Sequence, residues 1–301
     1  MTLEKARLRV SGGELAYVDE GQGPPAILLH GFPTSSYLWR DLVPILAPRF
    51  RAIAPDLLGY GDSVKPPDPG ALSVTRQARY VRELMQALGL RDPALVGHDV
   101  GGGVAQLIAL DGGVRTMVLV DSIVFDSWPI EAVRMLQDAD PEGVDESFAR
   151  AMVGAALDTG MAHPDRLSED DREEYVRPWA AEPISVIRAA LGIDGRGLVG
   201  TEARLGALDA RVLLVWGEDD PFQPADLAER LGDALPGATV ALLPGCSHYV
   251  TEDAPEAVLP LIADYLRRVH LGQSHGHDAG PTAVELGISF TRPDRPSDPE
   301  A

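Results

Sequence analysis

Asp99 lies between an apolar segment of the chain and a glycine-rich one. Asp99 is the central residue of the run GHDVG at positions 97–101, which ends the strand pattern Ala94–Gly97 and opens the helical pattern Gly101–Leu110. Small residues on both sides of a polar one, between a strand and a helix, are typical of a nucleophile elbow. This turn is so tight that it pushes the central side chain out above the sheet. We therefore interpret Asp99 as a nucleophile.

Backbone N–H groups are expected to complete a site around this side chain. The strand pattern Ala26–His30 is followed by Gly31 and Phe32, and Val100 directly follows Asp99. The N–H of Val100 opens a helix, and the N–H of Phe32 can face it from the other loop. Together the two groups would form an oxyanion hole.

The elements that must position these residues alternate along the chain. Residues 7–10 and 14–18 predict an N-terminal hairpin, after which short apolar strands alternate with helical patterns as far as Thr116–Val120. The alternation resumes with a strand at Arg211–Trp216 and ends with a helix at Pro255–Val269. This order predicts an α/β fold, with a mostly parallel central sheet flanked by helices.

The middle of the chain has a different pattern. Residues 123–198 contain only helical patterns, and we predict that they form a helical lid over the carboxyl ends of the strands, where open α/β sheets bind ligands. The core then comprises residues 1–122 and 199–270. Residues 271–301 are rich in Gly, Pro, Asp, His and Ser, with a short strand pattern at Gly287–Phe290, and are predicted to be a flexible tail.

Composition and charge exclude several classes of partner. The 301 residues are 45% hydrophobic and 24% charged, an ordinary globular mixture. The net charge of −20 would repel nucleic acid and anionic membranes. The single cysteine excludes an intrachain disulfide and a thiolate metal cluster, and no motif indicates a bound metal or cofactor. Because no signal peptide and no apolar stretch of about 20 residues is present, we predict a cytoplasmic protein.

Five motifs together resemble those of a known family. They are, in chain order, HGFPTSSYLWR, DLLGYGDS, GHDVGG, WGEDDPFQP and CSHYVTEDAPE. Their order and spacing resemble the α/β-hydrolase family, in particular its aspartate-nucleophile branch of haloalkane dehalogenases, epoxide hydrolases and haloacetate dehalogenases. The match covers residues 12–122 and 205–270, whereas the lid matches only in position. The resemblance implies an α/β-hydrolase fold with an inserted lid.

The resemblance also implies a catalytic triad. The family's acid lies three residues after the glycine that ends its strand, which is Asp220 here, and its base lies in the loop that holds His248. The order nucleophile, acid, histidine is the one that this fold requires. One group of haloalkane dehalogenases takes its acid from the strand before the lid, where this sequence has Asp121. Asp220 is the predicted acid and Asp121 the alternative.

A carboxylate nucleophile determines the type of reaction. Attack of Asp99 on an ester would give an anhydride, which is unfavourable, whereas attack on an sp³ carbon that carries a halide or an epoxide oxygen gives an alkyl ester on the protein. His248 would then activate a water molecule that attacks the ester carbonyl carbon. The predicted reactants are therefore a small apolar organic molecule and water.

The groups that would activate the leaving group are incomplete in this sequence. Haloalkane dehalogenases place Trp directly after the nucleophile and Asn or Trp elsewhere, but Val100 and Phe32 occupy the matching positions. Epoxide hydrolases use two lid tyrosines, and this lid has only Tyr175; the arginines of haloacetate dehalogenases are also missing. The indole N–H groups of Trp128 and Trp179 are candidates for this role, although both side chains could simply pack on the sheet.

Three hypotheses follow from these motifs. The first is a hydrolase that acts through an ester on Asp99, most like a haloalkane dehalogenase because of the run PTSSYLWR, with an epoxide hydrolase as the alternative. The second is a lyase or carbon–carbon hydrolase that uses Asp99 as an acid or base. The third is a non-catalytic receptor that binds a ligand under the lid, which the missing donors favour and the intact triad disfavours.

Overall fold

A nine-stranded sheet forms the centre of the protein in a computed structural model that describes residues 4–272 and 289–291. The strands are β1 (Lys5–Val10), β2 (Gly13–Glu20), β3 (Pro25–Leu29), β4 (Arg51–Pro55), β5 (Ala94–His98), β6 (Thr116–Val120), β7 (Arg211–Gly217), β8 (Thr239–Leu243) and β9 (Ser289–Thr291). Their order in the sheet is β1-β2-β4-β3-β5-β6-β7-β8-β9. The six strands from β4 to β8 in this order are parallel, which confirms the predicted α/β architecture.

The central strands end level with one another. His98 of β5 pairs with Val120 of β6, Val120 pairs with Val215 of β7, and Gly217 of β7 pairs with Leu243 of β8. Strands β5 and β6 are buried along their whole length, which explains their continuous apolar sequences. The loops that follow these strands therefore meet at one edge of the sheet.

Helices flank the sheet and fill the interval between β6 and β7. They are α1 (Leu42–Leu46), α2 (Val74–Ala87), α3 (Val100–Leu110), α4 (Glu131–Gln137), α5 (Glu146–Gly160), α6 (Glu169–Ala180), α7 (Ile184–Gly192), α8 (Glu202–Gly206), α9 (Asp226–Ala234), α10 (Val250–Asp253) and α11 (Pro255–Val269). Helix α1 packs on α11 and helix α2 on α3. In the part of the chain that the structure describes, no helix combines the length and the apolar character needed to cross a bilayer.

The segment predicted as a lid consists of helices and loops. Residues 123–198 contain helices α4 to α7 and no strand, and within this segment α5 packs on α6 and α4 on α7. Helix α7 also contacts the short 3₁₀ helix Pro69–Leu72, which belongs to the predicted core. The division into core, lid and tail stays a prediction.

Most of the predicted tail lies outside the described residues. Strand β9 is described, and it pairs antiparallel with β8, with Ser289 opposite Leu242 and Thr291 opposite Val240. It overlaps the strand pattern recognised at Gly287–Phe290. These three residues are held on the edge of the sheet by backbone hydrogen bonds, so the tail is not free along its whole length.

Close backbone approach shapes the turn between β5 and α3. A Cβ atom at Gly101 would collide with the carbonyl oxygens of Leu29 and His30, so only glycine fits where α3 crosses the end of β3. Asp99 itself has φ 50° and ψ −119°, a conformation that costs a non-glycine residue about 1–3 kcal/mol unless its surroundings impose it. The sequence GHDVG thus forms the strained elbow that its pattern predicts.

Candidate active site

The carboxylate of Asp99 is held by two backbone N–H groups. Asp99 precedes α3 and is only 2% exposed. The N–H of Phe32 donates to its Oδ1 atom at 2.9 Å, and the N–H of Val100 also bonds to the carboxylate. Both N–H groups of the predicted oxyanion hole therefore contact the carboxylate of the predicted nucleophile.

Opposing effects act on the ionisation of this carboxylate. Burial raises the pKa of Asp99 above its usual value, because desolvation penalises the charged form. The charge of His248 and the N–H groups of Phe32 and Val100 act in the other direction. These groups favour the ionised form that a nucleophile requires.

His248 lies between Asp99 and a second carboxylate. Its Nδ1 atom is 2.9 Å from Oδ2 of Asp220, whose Oδ1 accepts the N–H groups of Phe222 at 2.7 Å and Gln223 at 3.0 Å. Since a carboxylate can only accept, the proton of a neutral His248 is assigned to Nδ1, and Nε2 is the basic nitrogen on the side of Asp99. The structure thus brings the predicted nucleophile, base and acid together.

The distance between the predicted base, His248, and the predicted nucleophile, Asp99, bears on the type of nucleophile. Nε2 of His248 lies 4.0 Å from Oδ2 of Asp99, which is too far for a direct hydrogen bond. A hydroxyl or thiol nucleophile would have to bond to its base at about 2.6–3.2 Å to lose its proton. A carboxylate needs no deprotonation by the base, and a gap of this size matches a contact bridged by one water molecule.

Asp121, the alternative acid, bonds elsewhere. It directly follows β6 and is fully buried, and its Oδ1 accepts the N–H of Gly217 at 2.8 Å. The imidazole of His248 bonds to Asp220 instead. The geometry therefore favours Asp220 over Asp121 as the residue that orients the base.

The two lid tryptophans use their N–H groups within the protein. Nε1 of Trp128 donates to the carbonyl oxygen of Ile193 at 3.2 Å, and Nε1 of Trp179 donates to that of Pro33 at 2.7 Å. The ring of Trp179 also stands edge-to-face on Phe32 at 5.8 Å between centroids. Packing of the lid on the core satisfies both indoles, so neither N–H is free in this structure.

Two tyrosine hydroxyls lie at the site without a partner. Those of Tyr60 and Tyr249 are buried, and neither has a hydrogen-bond partner among the described residues. The ring of Tyr60 packs on Phe32, and that of Tyr249 on His248 with centroids 5.0 Å apart. Burial raises the pKa of both phenols, and the charge of Asp99 raises it further, so both hydroxyls lie within electrostatic range of the carboxylate. Neither tyrosine is among the candidate site residues of the sequence analysis.

Buried histidines support the loops of the site. Nδ1 of His30 donates to the carbonyl oxygen of Gly31 and its Nε2 accepts the N–H of Leu57, both at 2.9 Å, while burial lowers the pKa of His30 to about 4. Nε2 of His98 lies 3.0 Å from the carbonyl oxygen of His248 and must donate to it. Both rings hold backbone in place, as their positions beside the motifs predict.

A buried ion pair joins the lid to the loop of His248. Both terminal nitrogens of Arg40 donate to Glu252, at 2.7 and 2.8 Å, and the hydroxyl of Tyr175 on α6 donates to the same carboxylate at 2.6 Å. Nearby, Asp253 accepts the N–H of Ser247 and two N–H groups of the lid. Sequence reasoning missed these anchors, because nothing in the run VTEDAPE distinguishes a buried carboxylate from a solvated one.

The chain is similar to known proteins along most of its length. The model of the α/β hydrolase fold family matches residues 24–255. The chain belongs to this family. It is 31% identical over 265 residues to haloalkane dehalogenase 2 of Mycobacterium tuberculosis (strain ATCC 25618 / H37Rv), with 84% of this chain and 92% of that protein covered. It is 32% identical over 273 residues to a soluble epoxide hydrolase of Corynebacterium sp. (strain C12), with 83% and 92% covered.

The comparison with solved structures agrees. An α/β hydrolase fold protein from Burkholderia ambifaria superposes with a TM-score of 0.80 at 31% identity, covering 86% of this chain and 97% of that one. Together with the two relatives named above, this confirms the resemblance to the haloalkane dehalogenase and epoxide hydrolase branch of the family. The protein is a hydrolase with an α/β-hydrolase fold. Within residues 4–272 and 289–291, no group of three or more His, Cys, Asp or Glu side chains is placed to hold a metal ion.

The ion pair of Arg40 gives a test of how the lid is anchored. Arg40→Met should lower the free energy of unfolding by about 3–5 kcal/mol, because it leaves the Glu252 carboxylate buried without its counter-charge. Arg150→Met is the matched control: it breaks exposed ion pairs with Glu146 and Glu173 and should cost less than about 1 kcal/mol. Urea denaturation measures both, and equal losses would contradict an anchoring role for Arg40.

Proposed function

We propose that this α/β-hydrolase cleaves carbon–halogen bonds of small organic molecules through an alkyl ester on Asp99, most like a haloalkane dehalogenase. One observation carries the proposal: a carboxylate on the elbow has one oxygen bound by the N–H of Phe32 and the other facing a histidine whose far nitrogen bonds to Asp220. The relatives named as a haloalkane dehalogenase and a soluble epoxide hydrolase support this choice of chemistry.

The two oxygens of Asp99 take different parts in the first step. Oδ1 is held by the N–H of Phe32, and Oδ2, the oxygen on the side of His248, is the one that attacks the substrate carbon. The new C–O bond forms as the carbon–halogen bond breaks, and the halide leaves with the bonding electrons. Oδ1 then becomes the carbonyl oxygen of the ester, already placed where negative charge develops in the second step.

Formation of the ester also prepares the base. Burial lowers the pKa of His248, but the charges of Asp220 and Asp99 outweigh it, so that the pKa lies above its usual value. Once Asp99 is an ester, its charge is gone and the neutral imidazole is favoured. Nε2 can then take a proton from water, whose oxygen attacks the ester carbonyl carbon. As the intermediate collapses, the C–O bond to the alkyl group breaks and Nε2 returns the proton to the departing alkoxide, which leaves as the alcohol. The carboxylic acid formed on Asp99 loses its proton to solvent, which restores the carboxylate.

The hydroxyls of Tyr60 and Tyr249 are our candidates for donors to the leaving group. Both are buried near Asp99 without an acceptor of their own, and an unsatisfied buried O–H gains free energy from any acceptor that the substrate brings. A halide would accept a hydrogen bond from them. An epoxide oxygen would accept a proton as its ring opens, so the same two hydroxyls support the epoxide hydrolase alternative.

The second and third hypotheses have less support. A non-catalytic receptor has no need for an acid that orients a histidine, yet Asp220 and His248 are bonded at 2.9 Å. A lyase that uses Asp99 as an acid would need its protonated form, which the N–H of Phe32 bound to Oδ1 disfavours.

Substitutions of the proposed nucleophile Asp99 and the proposed acid Asp220 test the proposed function. On a panel of haloalkanes, haloacids and epoxides, with release of halide or diol measured, Asp99→Ala should abolish turnover and Asp220→Asn should slow it by about 10⁴-fold, because the histidine loses its orienting charge. The matched control is Asp219→Asn, an exposed neighbour that should change the rate less than about twofold. Full turnover by Asp99→Ala would contradict the proposal.

The leaving-group donors are tested separately. Tyr60→Phe and Tyr249→Phe should each slow formation of the ester by about 10²-fold in rapid-quench measurements, since one hydrogen bond to the developing charge is lost. Hydrolysis of the ester should proceed at the wild-type rate. Tyr80→Phe, which alters a buried phenol beside Gly12, serves as the control. Unchanged ester formation in both site variants would remove them as donors.

A further inference from the structure

The reaction proposed above leaves one buried carboxyl group unused. Asp121 has no solvent exposure and lies at φ 41°, in the left-handed region that a residue of its kind adopts only where its surroundings impose it. Its Oδ1 accepts the N–H of Gly217 at 2.8 Å. Its Oδ2 is buried and receives no hydrogen bond from any described residue. A buried acceptor in this position carries a desolvation cost unless a proton satisfies it.

The group next to Asp121 is a second carboxyl. The side chains of Asp121 and Asp220 are within hydrogen-bonding reach of each other. A hydrogen bond between two carboxyl groups requires a proton on one of them. Asp220 already accepts three donors, from Phe222, Gln223 and His248, which is the environment of an anion. The proton therefore belongs on Asp121, which has one donor only.

The surrounding charges act in the same direction. Burial raises the pKa of Asp121 well above its usual value, and the negative charge of Asp220 and, more weakly, that of Asp253 raise it further. The N–H of Gly217 only partly offsets these effects. The buried thiol of Cys246 is also close enough to interact with Asp121, and burial raises the pKa of this thiol to about 12, so it stays neutral.

We propose that Asp121 is a neutral carboxylic acid at pH 7 and that its O–H donates to Asp220, so that the two groups together hold one negative charge behind His248. Asp121 is thereby a positioning residue: it fixes the orientation of Asp220 and moderates its charge. Its effect on catalysis rests on the proposed function, whereas its protonation does not.

The single charge has a consequence for the base. Two ionised carboxylates behind His248 would stabilise its protonated form, and a protonated imidazole cannot take a proton from water. With the proton on Asp121, His248 has only one charged carboxylate beside it during the second step, that of Asp220, because Asp99 is then an uncharged ester. The histidine can then be neutral when water attacks.

Infrared difference spectroscopy tests the protonation without any turnover. At pH 7 the wild-type protein should show the C=O stretch of a protonated carboxyl group, and the band should be absent from Asp121→Asn. Because burial also raises the pKa of Asp99, Asp99→Ala is the control and should keep the band. A wild-type spectrum without the band, or a band lost only in Asp99→Ala, would overturn the proposal. Should Asp121→Asn not fold, loss of the wild-type band at high pH, with Asp99→Ala showing the same loss, assigns it to Asp121.

The pKa of His248, followed by NMR titration of its imidazole, gives the second readout. Asparagine keeps both an acceptor for Gly217 and a donor for Asp220, so Asp121→Asn replaces one neutral group by another and should leave this pKa unchanged. If Asp121 were ionised, the same change would remove a negative charge near the imidazole and lower its pKa by about 1 unit or more. That outcome would overturn the proposal even if the protein proved inactive on every halocarbon and epoxide.

Discussion

The proposed reaction requires Asp99 to carry a negative charge in a place with almost no contact with solvent, and the surrounding loops supply the groups that stabilise that charge. Desolvation alone would leave the carboxylate protonated and useless as a nucleophile. The N–H groups of Phe32 and Val100, the start of helix α3 and the imidazole of His248 compensate it. These groups come from different parts of the chain and can meet only because the parallel strands end level at one edge of the sheet.

Three buried aspartates, Asp99, Asp121 and Asp220, belong to the candidate site around His248. The hydrogen bonds that each one accepts differ, and these differences match the separate roles that we propose. Asp99 has two N–H donors and an open oxygen, as suits attack on carbon. Asp220 has donors on both oxygens, as suits a permanent anion that orients His248. Asp121 has a single donor and a carboxylate neighbour, as suits a group that keeps its proton. The number of hydrogen-bond donors, rather than the residue type, thus distinguishes the proposed nucleophile, the proposed acid and the proposed positioning residue.

The sequence allowed the fold to be predicted, and it allowed the three residues that meet at the candidate site to be singled out, because both depend on local sequence patterns. The run GHDVG fixes an elbow through its own steric limits, and the motifs after β7 and β8 follow strands whose apolar patterns are clear. The candidates for contact with the leaving group, Trp128 and Trp179, show what a local pattern leaves open. The N–H groups of Trp128 and Trp179 are satisfied by backbone carbonyls of Ile193 and Pro33, and the latter is 146 residues away, so only the docked lid reveals the acceptor. The burial of Glu252 depends on the same docking and leaves no local pattern.

The most direct test of the account is the fate of substrate on a chain that lacks its base. In His248→Gln the first step needs no base and should proceed, whereas hydrolysis of the ester should stop because water has no activator. Intact-mass measurement after addition of substrate should show one adduct per chain, and peptide mapping should place it on Asp99. The mass of the alkyl group alone would identify a halide as leaving group, and the mass of the whole substrate an opened epoxide. An adduct on another residue, or none across halocarbons and epoxides that the wild-type protein consumes, would contradict nucleophilic attack by Asp99.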